Sequence, residues 1–156
     1  MNERVDEKKD IPQLRTRSIL MALDRSPYKD KVVLYGATLA KVLHARLIAI
    51  HVIERSPTIG LEDFVLKNYE ASQRKDAENL LNEAKNLGNT IGSEINTDIL
   101  VKSGSISETI IDYAKNNDID LILVGTIGMS GLQKYLLGSV ADKIITHAHC
   151  PVLAVR

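Results

Sequence analysis

Cysteine is almost missing from this chain: Cys150 is the single one in 156 residues. One thiol excludes an intrachain disulfide and fits a reducing compartment. An excess of either charge is missing too. Twenty Lys and Arg balance twenty Asp and Glu, so the formal net charge is zero. That argues against a general nucleic-acid or polyanion binder, which carries a basic excess. It leaves room for a small anionic ligand, because backbone amides hold one without net charge. No apolar run reaches membrane-spanning length. The first ten residues, MNERVDEKKD, are charged and have no apolar signal-peptide core. The expectation is a cytoplasmic protein with neither nucleic acid nor membrane as partner.

Catalytic signatures are also wanting. There is no G-x-S-x-G elbow and no H-E-x-x-H. No catalytic residue is therefore assigned, and any hydrolysis of a bound ligand is expected to be slow. His147, His149 and Cys150 suggest metal ligands, but no second cluster completes a tetrahedral site. His147 suits a last helical turn, and Cys150 suits buried packing before Pro151. His51, in an apolar run, reads as a satisfied core histidine. Asp118 and Asp120 read as turn residues at a strand start. No metal site is assigned.

What the chain does contain is an ordinary globular composition, 44% apolar and 26% charged. Residues 1 to about 15 read as a polar tail and residues 16–156 as one domain. The apolar runs near Arg17–Leu23, Ile48–Ile53, Ile95–Lys102, Ile119–Gly125 and Pro151–Val155 read as strands. Between them lie helical stripes. The first is expected from Pro27 to about His44, with Ser26 as N-cap and Pro27 at the first position. The second spans 67–88, with Gly88 as C-cap. The third starts at a Ser105/Glu108 capping box and ends near Asn116-Asn117. The fourth runs from Ser139 to His147. Apolar strands alternating with helices predict a doubly wound α/β fold. It is a parallel sheet with helices on both faces, a three-layer sandwich.

The stretch GTIGMSGLQKYLLGS, Gly125 to Ser139, holds four glycines between an apolar strand and a helix. Ligands of such sheets lie outside the carboxyl ends of the strands, where Asp24–Ser26, Val52–Glu54 and Gly125 onward fall. Gly125 and Gly128 are expected to admit close backbone approach or a positive φ. Gly138 and Ser139 open a helix whose first amides lack partners and form an anion site. Each feature alone has a structural reading: Ser139 with Asp142 also forms a capping box, and Gly125 also suits a turn. Together they favour a phosphate. The stretch is neither a Walker A loop nor G-x-G-x-x-G.

Read as Gly125-x2-Gly128-x9-Gly138-Ser139, it resembles the ATP-binding signature of the universal stress protein family. ILMALDRS and LIAIHVIE resemble the family's first two strands, and HAHCPVLAVR its ending. The resemblance implies a five-stranded parallel sheet in the order 3-2-1-4-5 and a homodimer. It implies ATP, AMP or ADP as ligand, with Mg2+ or Mn2+ carried on the phosphates. Asp24 would face the ribose and adenine, Val52 the adenine, and Ala22 would also contact the nucleotide. Gly125, Thr126, Gly128, Met129, Gly138, Ser139 and Val140 would surround the ribose and phosphates. Ile127 and Met129 are apolar where relatives often carry basic or polar residues, so Arg25 is expected to supply charge. An apolar edge strand needs a cover, and Val152, Leu153, Ala154 and Val155 are expected to pair with a second copy. The functional expectation is a stress-response regulator acting through nucleotide-linked conformation or assembly. Two alternatives are an interaction module that binds no nucleotide and a slow adenine-nucleotide hydrolase.

Overall fold

The computed structural model describes residues 15–55, 63–127 and 137–156. Gly128, Met129 and the polar tail through residue 14 lie outside them. The elements alternate as expected: β1 Ser18–Ala22, α1 Lys29–Leu43, β2 Arg46–Glu54, α2 Asp63–Ile91, β3 Asn96–Lys102, α3 Ile106–Asn116, β4 Leu121–Gly125, α4 Ser139–His147 and β5 Val152–Val155. All the pairings are parallel, and the order is β3-β2-β1-β4-β5. This is the predicted doubly wound α/β sandwich, with β3 and β5 at the edges.

Strand periodicity divides the core into two layers. Ile19 and Met21 of β1, Leu47 and Ala49 of β2 and Leu123 of β4 meet α1 and α2 on one face. Leu20, Ile48, Ile50, Val52, Ile122 and Val124 alternate to the other face, toward α3 and α4. Because both faces are covered, these strands read as continuous apolar runs. Each fully buried Ile or Leu contributes about 1.5–3 kcal/mol, so the central strands dominate stability. In register, Ala22 lies opposite both Ile50 and Val124, and Gly125 opposite Val155, while β2 runs on to Glu54.

The helix boundaries correct three expectations. Helix α1 begins at Lys29, two residues after Pro27, and its N-cap is Tyr28 with no side-chain bond. Ser26 does not cap it. Its N–H donates to Asp24 Oδ1 at 3.0 Å, so an Asx turn takes up the residues that a cap would use. Helix α2 runs on to Ile91, so Gly88 is not its C-cap. The stop is Gly92, at φ 79°. There the N–H of Ser93 reaches the Gly88 carbonyl and that of Gly92 the Asn89 carbonyl, both at 3.0 Å, the pair of bonds that defines a Schellman motif. Helix α4 starts at Ser139, but the N-cap is Gly138 and no side chain caps it. The Ser139/Asp142 capping box therefore does not form. Ser105 does cap α3, accepting from Glu108 N–H at 3.4 Å.

Candidate functional site

The carboxyl ends of β1, β2 and β4 enclose a cavity of about 530 Å³. This is where the strand order turns back from β1 to β4, the position at which open α/β sheets take ligands. The sheet ends supply Ala22, Asp24, Val52 and Gly125. Helix α4 brings Gly138, Ser139 and Val140 from the other side. Of the described residues expected at a ligand, Thr126 and Arg25 do not line it. Thr126 is a buried link. Its N–H donates to the Val155 carbonyl at 2.9 Å, and its carbonyl accepts from Gly138 N–H at 2.7 Å. That second bond ties the start of α4 to the end of β4.

The Gly138 carbonyl accepts from Asp142 N–H at 2.9 Å, the first bond of the helix, and no side chain caps the N-terminus. Ser139 is exposed and lines the cavity. The first amides of a helix have no intrahelical acceptor, and with the helix dipole they favour an anion at this wall.

Asp24 is partly committed. Its Oδ1 accepts from Ser26 N–H at 3.0 Å, and its Oδ2 makes no bond among the described residues. Arg25 is committed elsewhere: its Nη2 donates to the Asp76 carbonyl of α2 at 3.0 Å. The neighbouring-loop charge expected of Arg25 is thus turned to α2, and the cavity's described lining holds no Lys or Arg. Gly125 needs no special backbone. It is not among the described positive-φ glycines. A Cβ there would sit at ordinary contact, 3.4 Å from Tyr28 Cβ and 3.5 Å from Ser26 Oγ. Its expected conformational freedom is not used.

Several lining residues went unread in the sequence. Tyr69 and Gln73 of α2 form one wall, hydrogen-bonded to each other, and Ile106 and Ile110 of α3 form another. On sequence, Tyr69 and Gln73 look like any solvated helix face. His51 is satisfied, as expected, with Nδ1–H donating to the Leu23 carbonyl at 2.8 Å. It nevertheless also lines the cavity.

The other tempting groups are structural. His147 Nδ1–H donates to the Lys143 carbonyl of its own helix, and His149 Nε2–H to the Ile119 carbonyl. Burial pushes the Cys150 thiol above its ordinary pKa. Asp120 accepts from the N–H groups of Arg17 and Ser18 at 2.7 and 2.9 Å and so anchors the start of β1. Among the described residues, no three His, Cys, Asp or Glu side chains group to hold a metal.

Known proteins share both sequence and fold. The chain is 36% identical over 145 residues to universal stress protein A homolog 2 of Coxiella burnetii, covering 90% of this chain and 94% of that one. It is 31% identical over 141 residues to a universal stress protein of Methanocaldococcus jannaschii, covering 90% and 82%. The universal stress protein UspA from Lactobacillus plantarum superposes with a TM-score of 0.81 at 26% identity, over 92% of this chain and all of that one. Two more distant folds, each with a TM-score of 0.67 and 21% identity, are a universal stress protein in complex with cAMP and the one from Archaeoglobus fulgidus in complex with dAMP. They cover 92% of this chain and 98% and 100% of their own. The sheet order expected of the family is the one observed, the family's sequence model matches residues 15–156, and the chain belongs to the universal stress protein family.

Proposed function

We propose that this protein binds an adenine nucleotide, ATP foremost, in the cavity at the carboxyl ends of β1, β2 and β4. The observation that carries the reading is convergence. Asp24, Val52, Gly125, Ser139 and Val140 come from three separate strand ends and one helix start, yet line one volume of about 530 Å³. One end offers a carboxylate suited to ribose hydroxyls. The other offers the unpaired amides of α4, suited to phosphate. Two structural neighbours have cAMP and dAMP bound, which agrees with an adenine ligand here. Gly128 and Met129 complete the proposed set. A divalent cation, Mg2+ or Mn2+, would arrive on the phosphates, with the α4 amides and Ser139 orienting the oxygens that hold it.

The proposed role is regulation in the stress response. Nucleotide binding favours one conformation or assembly, and partners read that state. A ligand shifts such an equilibrium only by its differential affinity for the two states. The assembly we propose is a homodimer through β5.

The test is thermal unfolding with and without Mg-ATP. At about one hundred times its dissociation constant, a ligand stabilises the fold by roughly 2.7 kcal/mol. Ala22→Leu should abolish the shift, because it extends a side chain into the cavity floor. A shift of equal size in both proteins would place the ligand elsewhere. One observation favours a second reading, an interaction module that binds no nucleotide: the cavity's described lining holds no Lys or Arg. An unshifted wild-type protein, free of co-purified nucleotide, would select that reading.

A further inference from the structure

We propose that Lys143 makes the site prefer a nucleoside triphosphate over a monophosphate. This rests on the nucleotide reading above and names a residue outside its set. A groove of about 300 Å³ adjoins the main cavity and shares Glu54, Ile106, Ser139 and Val140 with it. It runs between the starts of α3 and α4, past Ser105 and Ser107, and Lys143 lines it.

Helical geometry puts Lys143 one turn beyond Ser139 on the same face of α4. A phosphate held at Ser139 therefore adjoins a groove that Lys143 also lines. The charge count decides what Lys143 is for. The described lining of the main cavity contains Asp24 and Glu54 and no Lys or Arg. Among the described residues, the charged ones lining the groove are Glu54 and Lys143. Lys143 makes no ion pair among the described residues. It is therefore the sole Lys or Arg among the described residues lining either space. A monophosphate is satisfied by the α4 amides and does not need it. Each further phosphate adds negative charge facing Glu54, and Lys143 is the group placed to offset that charge.

The opposite signs of Lys143 and Glu54 make the test two-sided. Titration calorimetry of the full chain at low salt gives the dissociation constants of AMP and ATP. In Lys143→Gln, ATP should weaken about threefold to tenfold, while AMP stays within about twofold of wild type. Lys143→Arg should restore ATP binding. Glu54→Gln should tighten ATP more than AMP. The wild-type preference should shrink with added salt, as expected for a partly exposed charge. Unchanged ATP affinity in Lys143→Gln, or equal losses for both ligands, would overturn the assignment to Lys143 alone. A wild-type protein that binds neither nucleotide would overturn the cavity reading and this inference with it.

Discussion

At the scale of single residues, two positions carry more than their sequence context suggests. Gly88 sits near the end of a helical stripe, where glycine ordinarily means a cap. In the fold it is a packing residue. A Cβ there would lie 2.5 Å from Ile95 Cδ1, 2.8 Å from Ile95 Cγ1 and 3.1 Å from the Ser93 carbonyl oxygen. Gly88→Ala gains about 1 kcal/mol in helix propensity but overpacks a tight site, which costs about 1–3 kcal/mol. The expected net result is a lower urea midpoint; a rise would show that Ile95 yields without cost. Asp120 is the second position. Burial alone would raise its pKa, but the N–H groups of Arg17 and Ser18, with the Ser18 hydroxyl, outweigh this and hold it below the ordinary 3.8. A carboxyl depressed on folding stabilises the protein above its unfolded pKa, and that contribution is lost as pH falls through the folded value. Asp120→Asn should therefore flatten the acid limb of the stability profile and cost about 1–2 kcal/mol at neutral pH. An acid limb identical to wild type would place the titrating group elsewhere. Neither role was legible: Ser18 is 102 residues from Asp120, and Ser93 and Ile95 close on Gly88 only because the chain turns back at Gly92.

At the scale of elements, the two serines that open helices behave oppositely. Both begin a Ser-x-x-acid pattern. Ser105 caps α3 through Glu108 N–H. Ser139 does not cap α4, because Gly138 occupies the N-cap position and the backbone is already held by Thr126. Ser105→Ala should cost about 1 kcal/mol in thermal unfolding. Ser139→Ala should change stability by less than about 0.5 kcal/mol and yet weaken ATP and AMP binding alike, because Ser139 is proposed at the first phosphate. A stability loss at Ser139 equal to that at Ser105 would return it to a capping role. A pattern in sequence marks the helix start within a residue or so. Which residue is the cap depends on what holds the chain before it.

At the scale of the whole molecule, β5 is one of the two edge strands of the sheet. It pairs with β4 alone, and its outer side is a sheet edge. Unpaired edges invite strand pairing, and the proposed cover is the same strand of a second copy. A charge at Leu153 should give monomers in sedimentation with unchanged circular dichroism; an intact dimer would move the interface away from β5. The parallel α/β class, the alternation of elements and the place of the glycine-rich stretch at a strand's carboxyl end were determined by sequence alone. They follow from local periodicity and from the apolar runs that a sheet covered on both faces requires. Other features were decided only by tertiary structure. Arg25 was expected at the phosphates, yet its guanidinium turns to the Asp76 carbonyl of a helix 51 residues away. Tyr69 and Gln73 enter the cavity wall although their helix is polar on that stretch. Lys143, which on sequence suited an approach to phosphates and a solvated face equally, lies in a groove shared with Glu54 and Ser139. The physical reason is the same in each case. Periodicity records which face of an element is buried, but a polar side chain's partner is chosen by which elements the sheet order brings side by side.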